Sequence, residues 1–176
     1  MKVLKHEVLY KGKIFDLIRD TLEHEGHIFT REYVNYKASV CIIPFDGENV
    51  YFVKQYRHPT GKELLELPAG KLEEKEDPKE CAQRELQEEV GFIPQKLTLL
   101  SKFYTVAGYS KELMYLYLAE DLKASKLPED KDEFLTPIKM HINDALSLLK
   151  EGKIEDAKTI IGLFYLFTFR LSIRLT

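Results

Sequence analysis

The chain contains no tryptophan, only two cysteines and no surplus of basic charge, with 26 Lys and Arg against 29 Asp and Glu and a net charge of −3. Each shortage excludes something. Nucleic-acid polymers are bound by proteins with a large basic excess or a basic stripe, and this chain has neither. Cys41 lies in an apolar run and Cys81 in a polar one, without metal-ligand spacing, so both read as ordinary reduced thiols of a cytoplasmic protein and no zinc site is expected. Long apolar runs are also missing. The most apolar stretch, Thr159 to Phe169, is shorter than the roughly 20 residues a membrane helix needs and is followed by Arg170. The opening Met-Lys-Val-Leu-Lys-His-Glu has no apolar core of a secretion signal. No internal repeat or low-complexity linker occurs. With 44% hydrophobic residues, the 176 residues are expected to bury the core of one domain with a small appended part.

That appended part is residues 1–36. They read as short strands with turns at Lys11-Gly12-Lys13 and Glu25-Gly26-His27 and carry no helical period. Residues 37–176 form the main domain. Ser39–Pro44 and Val50–Tyr56 are β-branched and aromatic runs separated by the hairpin signal Asp46-Gly47-Glu48-Asn49. Strands are expected near Lys96–Tyr104, Leu113–Ala119 and Phe134–His141, with a polar loop from Ala124 to Lys131. Helices are expected at Ile142–Lys150 and Glu155–Ile173.

Between these elements lies the most informative helix. Asp77 is a good N-cap, Pro78 suits the first helical position, Glu80 completes an Asp-x-x-Glu capping box, and Gly91 is a left-handed stop. Ala82, Leu86 and Val90 form an apolar stripe. Beside it, Glu85, Glu88 and Glu89 crowd the C-terminal turns, where the helix dipole disfavours anions. At about 100° per residue the three fall within about 100° of one another, so their oxygens can converge on one point. Hard divalent cations bind such oxygen clusters, magnesium above all, because it takes few carboxylates and completes its shell with water and substrate phosphates. Arg84 stands one residue before Glu85 and four before Glu88, placed to brace a carboxylate or neutralise part of the cluster.

Gly70, Glu76, Arg84, Glu85, Leu86, Glu88, Glu89, Gly91 and Phe92 fill every position of G-x5-E-x7-R-E-U-x-E-E-x-G-U, where U is aliphatic or aromatic. The chain therefore resembles the Nudix hydrolases. Gln55-Tyr56-Arg57, Glu66-Leu67-Pro68-Ala69-Gly70 and Gly152-Lys153-Ile154-Glu155-Asp156-Ala157-Lys158-Thr159 resemble the ADP-ribose pyrophosphatase subfamily, so the likeness covers nearly the whole chain. It implies the Nudix α/β/α sandwich with a mixed sheet and a β-rich N-terminal arm used in a homodimer. It also implies magnesium-dependent hydrolysis, with manganese as a substitute, of ADP-ribose or a related nucleoside diphosphate sugar to AMP and a sugar phosphate.

The resemblance further implies roles for individual residues. Glu85, Glu88, Glu89 and the Ala69 carbonyl would hold the metal, with Glu88 and Arg84 in the catalytic group. Arg57 would stabilise charge on the diphosphate, and Glu73 lies where relatives place metal or water contacts. Phe15, Arg31 and Glu32 would touch adenine or ribose, and Glu112 the terminal ribose. An acid from Asp130, Asp132 or Glu133 would act as base or hold the attacking water, Asp130 standing at the aligned position. One departure stands out: Val106-Ala107-Gly108 replaces the proline-containing loop usual in the subfamily, leaving Gly108 to keep the loop's shape. Tyr109 sits near the spacing of a tyrosine in dinucleoside polyphosphate hydrolases, so that substrate class stays open. A non-catalytic nucleotide-sensing module is the rival from another class, set against the complete set of box acids.

Overall fold

The computed structural model describes residues 1–128 and 134–174. Contacts divide the chain into two units, one of residues 1–38 and 103–114, the other of residues 39–102 and 115 onward. The first joins the expected arm to the tip of a later hairpin.

In the first unit, β1 (Lys2–Lys11), β2 (Asp16–His24) and β3 (His27–Asn35) make an antiparallel sheet in that order. The two-residue turn between β2 and β3 places Glu25 at φ 52° and Gly26 at φ 81°, the doubly left-handed geometry whose twist matches a hairpin. β2 and β3 pair without a slip from Asp16↔Asn35 to His24↔His27, while β1 slips at two points. Residues 103–114 attach through Val34, whose N–H donates to Tyr109 O (2.7 Å) and whose carbonyl accepts from Lys111 N (3.2 Å).

The second unit holds β4 (Ser39–Pro44), β5 (Asn49–Arg57), β6 (Lys62–Glu66), β7 (Ala69–Lys71), α1 (Pro78–Glu89), β8 (Phe92–Tyr104), β9 (Leu113–Ala124), β10 (Leu135–His141), α2 (Ile142–Lys150) and α3 (Ala157–Arg174), the ends of β8 and β9 reaching into the first unit. Its sheets run β10-β5-β6 and β7-β4-β9-β8. Every residue of β4 is buried, so it is apolar on both faces and covered on both. Val40 and Ile42, with Tyr117 and Ala119 of β9, pack on Cys81, Ala82 and Leu86 of α1. Ile43 and Leu116 turn the other way toward α3, where a Cβ added at Gly162 would lie 2.4 Å from Leu67 Cδ1 and 3.4 Å from Ile43 Cγ1. Helices thus cover both faces, as the α/β/α expectation requires.

β6 and β7 were not legible in the sequence. β6 returns along β5 and brings Glu66, its last residue, onto the same face of the hairpin as Arg57, the last residue of β5. α3 begins at Ala157 and not at Glu155, because Asp156 is its N-cap: its carboxylate accepts from Thr159 N (2.9 Å) and its carbonyl from Ile160 N (3.0 Å). No helix among the described residues is long and apolar enough to cross a membrane.

Candidate active site

α1 begins as its sequence dictates, with Asp77 Oδ1 accepting from Lys79 N at 2.8 Å and Pro78 in the first turn. It ends at Gly91, whose φ of 83° only glycine adopts without cost and whose N–H donates to Leu86 O. The helix lies across β4 and β7. That packing sinks its acids: Glu85 is 8% exposed and Glu89 3%. The Glu85 carboxylate rests on the backbone of Gly70, where an added Cβ would lie 1.8 Å from Oε1. The box glycine leaves the space the Glu85 carboxylate occupies.

Two of the three acids, Glu85 and Glu88, converge, and their point of convergence is a guanidinium. Arg84 Nη1 donates to Glu85 Oε1 (2.8 Å) and Glu88 Oε2 (3.0 Å), while Nε and Nη2 clasp the Glu76 carboxylate at 2.8 and 3.0 Å. The hydrogen bonds from Arg84 hold the Glu76 carboxyl down at about 2. Glu76 also accepts from Glu73 N (2.8 Å), which ties the loop before the helix to the same arginine. The Glu73 side chain is exposed. Glu89 Oε2 accepts from Ala69 N at 3.1 Å, so the residue whose carbonyl was expected beside the metal touches a box acid through its other backbone group. With Arg84 among the acids, no three His, Cys, Asp or Glu side chains of the described residues stand together at metal-ligand spacing.

A second charged network lies in the same unit. Arg57 Nε and Nη2 donate to Glu66 Oε1 and Oε2 at 2.7 and 2.6 Å, and Lys158 Nζ bonds to Glu66 Oε2. Lys158 also pairs with Asp156 (3.1 Å). Thr159 Oγ1 donates to Asp156 Oδ2 (2.6 Å) and accepts from Leu67 N (2.7 Å). Glu66 is 1% exposed. Burial pushes its carboxyl up, and the hydrogen bond from Arg57 and the charge of Lys158 more than reverse that. Burial likewise pushes the Lys158 ammonium down, and Asp156 and Glu66 reverse it. Ala69, three residues after Glu66, donates its N–H to Glu89, which brings this network close to the box. Both cysteines are free and buried, and burial pushes the Cys41 thiol up to about 12.

Sequence reasoning gave no role to Glu66, Asp156, Lys158 or Thr159. Asp156 and Thr159 carried a local signal, the N-cap spacing. Glu66 and Lys158 carried none, because their partners are distant in sequence.

In the first unit, Arg31 and Glu32 point to opposite faces of β3 and do not pair with each other. Arg31 stacks over Phe29 at 4.6 Å and donates to Thr30 O, while Glu32 accepts from Arg19 Nε at 2.8 Å. Phe15 is half exposed beside Tyr10, with ring centroids 6.2 Å apart. With Lys11, Lys13, Tyr36 and Lys111 it lines a cavity of about 470 Å³. Glu112 accepts from Thr105 Oγ1 at 2.7 Å. A Cβ added at Gly108 would find nothing within 4 Å, so no side-chain contact fixes the loop there. The turn is instead held by Tyr109 N and Ser110 N, both donating to Val106 O. Tyr109 is exposed. Asp130, Asp132 and Glu133 lie outside the described residues.

The NUDIX domain model matches residues 35–162, and the chain belongs to the Nudix family. It is 36% identical over 169 residues to an ADP-ribose pyrophosphatase of Bacillus subtilis, covering 94% of this chain and 91% of that protein. It is 38% identical, with the same coverage, to a methanol dehydrogenase activator of Bacillus methanolicus. Among solved structures, an ADP compounds hydrolase superposes with a TM-score of 0.84 at 25% identity, covering 96% of this chain and 92% of the other.

Proposed function

We propose that this Nudix protein hydrolyses the diphosphate bond of ADP-ribose, or of a closely related nucleoside diphosphate sugar, to AMP and ribose 5-phosphate. The observation that carries the proposal is the convergence of Glu85 and Glu88 on one cationic group against the Gly70 backbone, with Glu89 beside them. The pyrophosphatase relative supplies the substrate class.

The residues fit a hard divalent cation, magnesium or manganese. Glu85, Glu88 and Glu89 offer anionic oxygens, the Ala69 carbonyl a neutral one, and the Gly70 cradle keeps their space open. Such a cation, when bound, withdraws charge from the diphosphate and acidifies water. The chain's own residues do the rest. Arg84 neutralises Glu85 and Glu88 and anchors the loop before α1 through Glu76. Arg57 stabilises charge on the diphosphate as a P–O bond breaks and water adds to phosphorus. An acid among Asp130, Asp132 and Glu133 takes the proton of that water. Phe15, Arg31, Glu32, Gly108 and Glu112 are carried over by resemblance as nucleoside and ribose contacts, and Glu73 as a water or metal-side contact.

The exposed Val3, Leu4, Val8 and Leu9 on β1 support a homodimer through the arm, and the two reduced thiols support a cytoplasmic setting. The test is release of AMP and ribose 5-phosphate from ADP-ribose with magnesium, repeated after exhaustive chelation. Full activity without metal refutes the mechanism. A higher kcat/KM on diadenosine polyphosphates moves the substrate to that class.

A further inference from the structure

We infer that Lys158, held against Asp156 at the start of α3, is a positioning residue that acts through Glu66 to aim the Arg57 guanidinium at the substrate's diphosphate. The inference rests on the proposed hydrolysis and adds to it a control of the phosphate-binding group from the far end of the chain.

The geometry is that of a relay with each member held from behind. Arg57, the last residue of β5, reaches back along the hairpin face to Glu66 with its side chain 41% exposed, so part of the guanidinium still faces water. Glu66 grips it side-on through Nε and Nη2. That mode engages one edge of the fork and turns the Nη1–Nη2 edge the other way, toward a second anion. Glu66 can do this only if its own carboxylate is fixed. At 1% exposure it has no solvent to lean on, and Lys158, 11% exposed, supplies the second cation on Oε2. Lys158 is fixed in turn by Asp156, and Asp156 by Thr159 N and Oγ1, while Thr159 Oγ1 also takes the N–H of Leu67, the residue after Glu66. A buried pair bought for stability alone is a poor bargain, since apolar residues of similar volume usually do as well. A set of two acids and one lysine, each little exposed, that ends on a half-exposed arginine fits orientation of that arginine.

The test is a double-mutant cycle on the full chain with ADP-ribose and magnesium, comparing Lys158→Met, Arg57→Ala and the pair. In the wild-type background Lys158→Met is expected to lower kcat/KM about tenfold or more, and in the Arg57→Ala background less than about twofold, because the group it positions is gone. Lys158→Arg restores most of the loss. A second readout is the Kd of the non-hydrolysable α,β-methylene analogue of ADP-ribose, which follows the same pattern without turnover. Should Lys158→Met fail to fold, the charge-balanced Glu66→Gln/Lys158→Met variant replaces it and is expected to match Arg57→Ala. Equal losses in both backgrounds, or no loss in either, overturn the positioning role. A wild-type chain that leaves ADP-ribose intact refutes the substrate assignment and this inference with it, whereas turnover with additive losses refutes the inference alone.

Discussion

A single residue, Arg84, decides how three acids coexist at the start and end of one helix. It spends one guanidinium on Glu76, Glu85 and Glu88. Arg84→Met leaves the buried Glu85 uncompensated and is expected to destabilise the metal-free protein by about 3 kcal/mol, as breaking a buried pair does. Millimolar magnesium should recover part of that loss, read as a larger metal-induced rise in Tm than the wild type shows. Glu88→Gln is expected to lower kcat at saturating magnesium by about two orders of magnitude or more. Gly70→Ala separates fold from site: the Cβ meets the end of the Glu85 side chain, which can shift, so Tm should change little while kcat falls. Glu76 sets a pH dependence. Its carboxyl, held at about 2 against an ordinary 4.5, contributes stability that is complete above pH 4.5 and lost as pH falls toward about 2. Glu76→Gln should flatten the acid limb of a Tm-against-pH curve, and an unchanged limb would show that another group carries it.

Among elements, α1 is the one whose sequence and structure agree most closely. Asp77, Pro78 and Gly91 occupy the positions their chemistry favours, and Ala82 and Leu86 turn to the core. Asp77→Ala should cost about 1 kcal/mol in chemical denaturation, the usual worth of an N-cap, with little change in KM. The β5–β6 hairpin is different. Nothing in Lys62-Glu63-Leu64-Leu65-Glu66 announces a strand beyond its two leucines, yet pairing with β5 sets Glu66 opposite Val53, on the face along which Arg57 reaches back to it. The helix was legible because its signals lie within four residues of one another. The hairpin was not, because its strand is defined by a neighbour.

For the whole molecule, contacts define two compact units, and β1 of the first leaves Val3, Leu4, Val8 and Tyr10 exposed. A three-stranded sheet with so much apolar surface in water is expected to find a second copy. Val8→Glu with Val3→Glu should shift the species seen by sedimentation toward monomer and raise KM for ADP-ribose. A wild-type monomer at micromolar concentration with full activity would refute the dimer.

The sequence by itself determined the class of the protein, the box helix with its caps and the β4 core strand. These are local patterns, set by 3.6-residue and two-residue periods and by capping chemistry over a few positions. Only the tertiary structure decided that Glu76 joins Glu85 and Glu88 on Arg84 while Glu89 turns to Ala69, that Glu85 rests on Gly70, and that Arg57 is held by Glu66. The contacts that close the second network, Lys158 to Glu66 and Thr159 to Leu67, each join residues 92 apart in the chain. No local period encodes such a pairing. It exists because α3 packs on the β4 face against Leu67 and Ile43, and Gly162 lets it approach closely enough to bring Lys158 to a buried carboxylate.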